Sequence, residues 1–121
     1  MNFTCQNEET LILKSEGHIH QYYLSDIVYI NGTSYLSTVH MIDSDQKDTF
    51  SVLVGKLEEQ LRPYFFFRIN RNVLLNLRYF RQLRQKGGRP KVLLANGQEF
   101  AIAHRRLPDL RRMIMGETVA E

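Results

Sequence analysis

The sequence predicts a mostly β domain with one packing helix and a short closing helix. Three observations carry that expectation. Short apolar segments separated by turn residues recur along the chain. One leucine stripe at helical spacing ends at Pro63. An Asn-Gly pair divides two strand-like runs near the C-terminus. At 121 residues and 43% apolar content, residues 1–121 are expected to form a single domain with its own core.

Taken in order, Thr10 to Ser15 (TLILKS) alternates imperfectly, Glu16-Gly17 reads as a turn, and His18 to Leu24 is its hairpin partner. Asp26 to Ile30 (DIVYI) is β-branched and aromatic, as a buried strand requires. Asn31-Gly32 offers the positive φ angles of a tight hairpin turn before the next strand, Tyr35 to Ile42. Asp43 to Asp48 reads as a polar acidic loop leading into Thr49 to Ser51. Leu53, Val54, Leu57 and Leu61 then form one helical stripe, with Ser51 as candidate N-cap and Pro63 as the stop. Glu58 and Glu59 fall on the outer face of that helix.

Beyond Pro63 the aromatic block Tyr64 to Phe67 precedes polar Arg68 to Asn72 and apolar Val73-Leu74-Leu75. A helical turn is expected over Asn72 to Leu75 and a strand by about Arg81. Lys91 to Ala95, Asn96-Gly97 and Gln98 to Ala103 make the clearest hairpin. Leu107, Leu110, Met113 and Ile114 give the closing helix its apolar face.

Charge is distributed unevenly. Thirteen of the sixteen lysines and arginines lie between Arg62 and Arg112, with only Glu99 and Asp109 against them, so that stretch carries +11 while the whole chain carries +3. A field of that shape draws in and orients a polyanion; the alternative is a solvated basic face. No apolar run approaches the roughly 20 residues of a membrane span. The N-terminus lacks the pattern of a secretory signal, and Cys5 alone supports neither a disulfide nor a thiolate zinc cluster. A cytoplasmic protein is expected, with Cys5 incidental.

Catalytic chemistry finds little support. The four histidines are scattered, and His18 and His20 share a strand face without a third ligand nearby in sequence, so solvated side chains are the better account. Asp43, Asp45 and Asp48 lack the glycine and terminal glutamate of a calcium loop. No Gly-x-Ser-x-Gly, His-Glu-x-x-His or phosphate-cradling loop occurs. The residues call for no cofactor and no enzymatic activity.

Nucleic-acid binding fits better. Asn70, Arg71 and Asn72 stand between two apolar blocks, so they are expected to face outward as a base-reading tip, arginine toward guanine and asparagine toward adenine. His104, Arg105 and Arg106 offer a second tip. Arg78, Arg81, Arg84, Lys86, Arg89 and Lys91 suit phosphates. Two other binding classes stay open: a single-stranded RNA or DNA binder stacking bases on Tyr22, Tyr23, Tyr35 or Tyr79, and a protein-interaction module pairing the acidic with the basic half.

The run Phe66-Phe67-Arg68-Ile69-Asn70-Arg71-Asn72-Val73-Leu74-Leu75-Asn76-Leu77 resembles the hallmark of the LytTR DNA-binding domain, Phe-x-Arg-x-His-Arg-Ser, two or three apolar residues, then Asn. Leu24 to Ile30, the helix from Leu53 to Leu61, Val92 to Gly97, and Ile102 to Leu107 resemble further segments in the same order, so the likeness runs over residues 10–114. It implies an elongated, mostly β arrangement of small antiparallel sheets whose loops enter the major groove and bend the duplex. It implies base reading by Asn70 and Arg71 in a central loop and by His104 and Arg105 in a C-terminal one, with Asn31, Ser34 and Tyr35 in a first contact loop. Arg68 stays open between a phosphate contact and a structural hydrogen bond. Asn76, the closing asparagine, is expected to satisfy the backbone of its turn. The chain departs from the hallmark at Asn70 (for His), Asn72 (for Ser) and Ala103 (for the Ser before the final Arg), which alters the preferred bases. The resemblance further implies a bacterial transcription regulator that binds promoter DNA as a homodimer on paired repeats. It is either a stand-alone regulator or an excised output domain of a response regulator, its receiver domain or sensor partner lying outside this chain.

Overall fold

The computed structural model describes residues 9–45 and 47–116. It contains ten strands and two helices: β1 (Thr10–Ser15), β2 (His18–Tyr23), β3 (Ile27–Thr33), β4 (Leu36–Met41), β5 (Lys47–Phe50), α1 (Val54–Leu61), β6 (Phe66–Arg68), β7 (Val73–Asn76), β8 (Phe80–Arg84), β9 (Lys91–Leu94), β10 (Glu99–Ala101) and α2 (Leu107–Met115). They form three antiparallel sheets: the β1-β2 hairpin, a central sheet in the order β5-β4-β3-β7-β6, and a small sheet in the order β10-β9-β8.

The central sheet is buried on both faces. Ile30, Val39, Phe66 and Leu74 meet Leu11, Leu13 and Tyr22 of the hairpin and Val54, Leu57 and Leu61 of α1. Val28, Phe67, Val73 and Leu75 meet Val92 and Leu94 of the small sheet, Ile102, and Leu110 of α2. Adjacent Phe66 and Phe67 thus feed opposite cores, as alternation along a strand demands. An eight-residue helix is too short to hold alone. Three apolar side chains of α1, each contributing about 1.5–3 kcal/mol when fully buried, keep it in place.

The structure corrects four local expectations. Asn31 and Gly32 lie inside β3 rather than in a turn. The turn falls at Ser34 and Tyr35, with Thr33 paired to Leu36 and Ser34 taking φ 24°. Gly32 is needed for closeness instead: a Cβ there would sit 2.6 Å from the Val54 Cβ. Val73 to Asn76 is a strand, and the 3-10 turn comes after it at Leu77–Tyr79. With Leu74 in one core and Val73 and Leu75 in the other, β7 has no solvated face, so its apolar run carries no alternation to read. Ser51 does not cap α1; the cap position is Leu53, without a side-chain bond. Asp48 belongs to β5 and accepts a 2.5 Å bond from the Tyr22 hydroxyl, which pulls it out of the expected solvated loop. Cys5 lies outside the described residues.

Candidate nucleic-acid interface

The polar run after β6 forms a tight tip. The Ile69 N–H bonds the Val73 carbonyl at 3.0 Å, closing residues 70–72 into a turn. Arg71 and Asn72 are exposed there, and Arg71 has no ion-pair partner among the described residues. Asn70 differs from its neighbours and from the outward placement expected of it. It is half-buried; its Oδ1 accepts from the Asn72 and Val73 N–H groups at 2.8 and 3.0 Å, and its Nδ2 donates to the Ala101 carbonyl at 2.9 Å.

That last bond crosses to the end of β10, immediately before the second predicted tip. The Ala103 N–H also bonds the Ile69 carbonyl at 2.9 Å. His104 and Arg105 follow at once, exposed, in a 3-10 turn that leads into α2. On the other side, the Gly32 N–H bonds the Asn72 carbonyl at 2.6 Å, bringing in the β3–β4 turn with exposed Ser34 and Tyr35, while Asn31 is half-buried in β3. Main-chain and amide bonds therefore string the three predicted loops along one end of the central sheet. Between the β3–β4 turn, the start of α1 and the central loop lies an open cleft of about 880 Å³, lined by Ser34, Leu53, Lys56, Arg71 and Asn72 among others.

Supporting cations divide into two groups. Arg68 places Nη1 3.2 Å from Glu58 and Nη2 2.6 Å from the Arg71 carbonyl. Its enclosed Nε has no hydrogen-bond partner among the described residues. Arg106 lies 3.6 Å from the same glutamate and 5.9 Å over the Phe67 ring. Glu58 was expected to face solvent, yet its side chain is only 14% exposed. Its i,i+4 spacing to Arg62 is visible in the sequence; the approach of Arg68 and Arg106 is a product of the fold.

Arg84, Lys91 and Ala101 pair in a row across the small sheet, so the Arg84 to Lys91 turn abuts the end that Asn70 grips. Arg84 is bound to Glu99, while Lys86, Arg89 and Lys91 are exposed without an ion-pair partner among the described residues. Arg81 is exposed within β8. Arg78 departs from the set. It follows β7 at the opposite end of the sheet, where the Tyr79 hydroxyl donates to the Ser25 carbonyl at 2.5 Å. Burial, with Asp26 and Asp43 nearby, pushes that tyrosine up, against Arg78. Asn76 is fully buried. Its Nδ2 donates to the Leu24 and Ile27 carbonyls at 3.1 and 2.9 Å, and its Oδ1 accepts from the Arg78 N–H, the turn-satisfying role expected of it.

His18 bonds the Glu16 carbonyl, and His20 packs its edge against Phe50 at 5.1 Å, half-buried rather than solvated. Among the described residues no group of three or more His, Cys, Asp or Glu side chains is placed to hold a metal. None of the described helices is long and apolar enough to cross a membrane.

Comparison with known proteins accords with this architecture. The chain superposes on a solved LytTr DNA-binding domain from Bacillus cereus with a TM-score of 0.71 at 14% identity, covering 89% of this chain and 98% of that one. At that identity the likeness speaks for the fold. Curated protein sequences yielded no match. The sequence itself matches the family model of the LytTr DNA-binding domain over residues 17–115. The chain therefore belongs to the LytTR DNA-binding domain family, whose members bind DNA in transcription regulators and are not enzymes.

Proposed function

We propose that this domain reads duplex promoter DNA through the major groove. Arg71 and Asn72 approach bases from the central loop, and His104 and Arg105 from the C-terminal turn. Lys86, Arg89 and Lys91, with Arg81 and Arg84 behind them, serve the phosphates. Asn70 enters as a positioning group, because its amide already bonds three backbone groups. The first loop, with Asn31, Ser34 and Tyr35, adds a third approach beside them. One observation carries the reading: exposed donors from two separate segments stand side by side at one end of the sheet, joined by the Asn70–Ala101 and Ile69–Ala103 bonds.

The same geometry disfavours single-strand stacking. Tyr22 is buried and Tyr79 half-buried, while exposed Tyr23 and Tyr35 belong to different sheets and form no shared platform. A cytoplasmic bacterial regulator, acting as a pair on repeated half-sites, completes the proposal. The Bacillus cereus domain is named for a methyl-accepting/DNA response regulator, which supports an output role in signal-dependent transcription.

Selection of bound duplexes from a random library tests the reading and reports repeat spacing. Arg71→Ala is expected to relax preference at one base position by about 1–3 kcal/mol, the value of a bidentate contact. Equal loss on every sequence would make Arg71 a phosphate contact instead.

A further inference from the structure

Glu58 joins three cations from three separate segments: Arg62 at the end of α1, Arg68 at the end of β6, and Arg106 after β10, at 3.4, 3.2 and 3.6 Å. Each proposed reading loop is one link away from this carboxylate. Arg68 passes the contact on to the carbonyl of Arg71, and Arg106 is the chain neighbour of Arg105. Backbone bonds and the Asn70–Ala101 amide bond fix the bases of the two loops, and the Glu58 cluster ties their flanks to α1. The side chains of Glu58, Arg68 and Arg106 are 14%, 22% and 29% exposed, so solvent screens this cluster less than an ordinary surface pair. The cluster also lines a smaller cleft with Phe67, Asp109 and Met113, and Glu58, Arg62 and Arg68 border the larger open cleft as well.

We propose that Glu58 is a specificity-determining positioning residue: it holds the central and C-terminal loops at one spacing and withholds Arg68 and Arg106 from indiscriminate phosphate binding. The inference deepens the DNA-reading proposal and rests on it. Removal of the carboxylate has two consequences of opposite sign. The readers lose their common anchor, which weakens the matched site. The released guanidiniums gain freedom to meet phosphates, which strengthens binding to any duplex.

The test uses Glu58→Gln, a near-isosteric change, with the duplex that the wild-type protein selects from a random library and a scrambled duplex of the same composition. The ratio of the two affinities is expected to fall about five- to tenfold, the scale of weakening one bidentate contact. Affinity for the scrambled duplex is expected to rise about two- to threefold, with the salt slope steeper by about 0.9 for each additional phosphate engaged. A purely structural role lowers both affinities together and leaves the slope unchanged, and that result overturns the proposal. Should Glu58→Gln fail to fold, Arg106→Lys loosens the same tether at constant charge. A lost ratio with an unchanged slope then supports the proposal, and an unchanged ratio overturns it. A wild-type protein that does not discriminate between the duplexes overturns the DNA-reading proposal itself, and this inference with it.

Discussion

Two asparagines of the hallmark run show how one side-chain type serves different ends. Asn76 lies at the buried end of β7 and bonds two carbonyls and one N–H of the neighbouring turns. Asn70, at the solvent end, bonds two N–H groups and one carbonyl and thereby stiffens the proposed reading tip. Asn76→Ala removes three hydrogen bonds at a buried site, and it is expected to cost about 3 kcal/mol by chemical denaturation. A loss below about 0.5 kcal/mol would mean that the turn admits water. The role of Asn76 was open to sequence reading because an amide amid apolar neighbours needs partners. The role of Asn70 was not, since its acceptor, Ala101, is thirty-one residues away.

Among the elements, β3 and β4 run from the proposed reading end to an opposite end of different character. At that far end His40 stacks on Tyr29, ring centroids 4.0 Å apart. Burial, and secondarily Lys47, hold the His40 imidazole below its ordinary range. A depressed histidine contributes stability that is present above the unfolded-state value and is lost as pH falls through the folded one. Stability is therefore expected to decline between about pH 7.5 and about pH 5.5, above the carboxylate range. Urea midpoints at the two values, compared with those of His40→Phe, check this; an equal decline in the variant would assign the effect elsewhere. The start of β3 and the extent of β4 were legible from β-branched and aromatic content; the end of β3 was not. The Asn31-Gly32 pair misled because glycine serves two needs, positive φ and close approach, and only the position of Val54 decides which applies.

For the molecule as a whole, the +11 segment is less free than its count suggests. Glu58, from outside it, engages Arg62, Arg68 and Arg106, while Glu99 and Asp109 engage Arg84 and Arg112. Eight cations of that segment remain without an ion-pair partner among the described residues, and Arg78 is at the wrong end to join the reading loops. If about five of the eight neutralise phosphates, log K should fall against log salt with a slope near −4.5. Titration by fluorescence anisotropy over a range of salt measures it, and a flat response would remove the electrostatic part of the mechanism. What the sequence determined by itself was local and compositional: strand-rich texture, the α1 stripe, the last hairpin, the charge gradient, and the order of motifs that marks the family. Only the tertiary structure decided which polar side chains are held by partners and which stay exposed. Bonds such as Asn70–Ala101 and Glu58–Arg106 join segments far apart in the chain, and chain neighbours carry no record of who will stand opposite them.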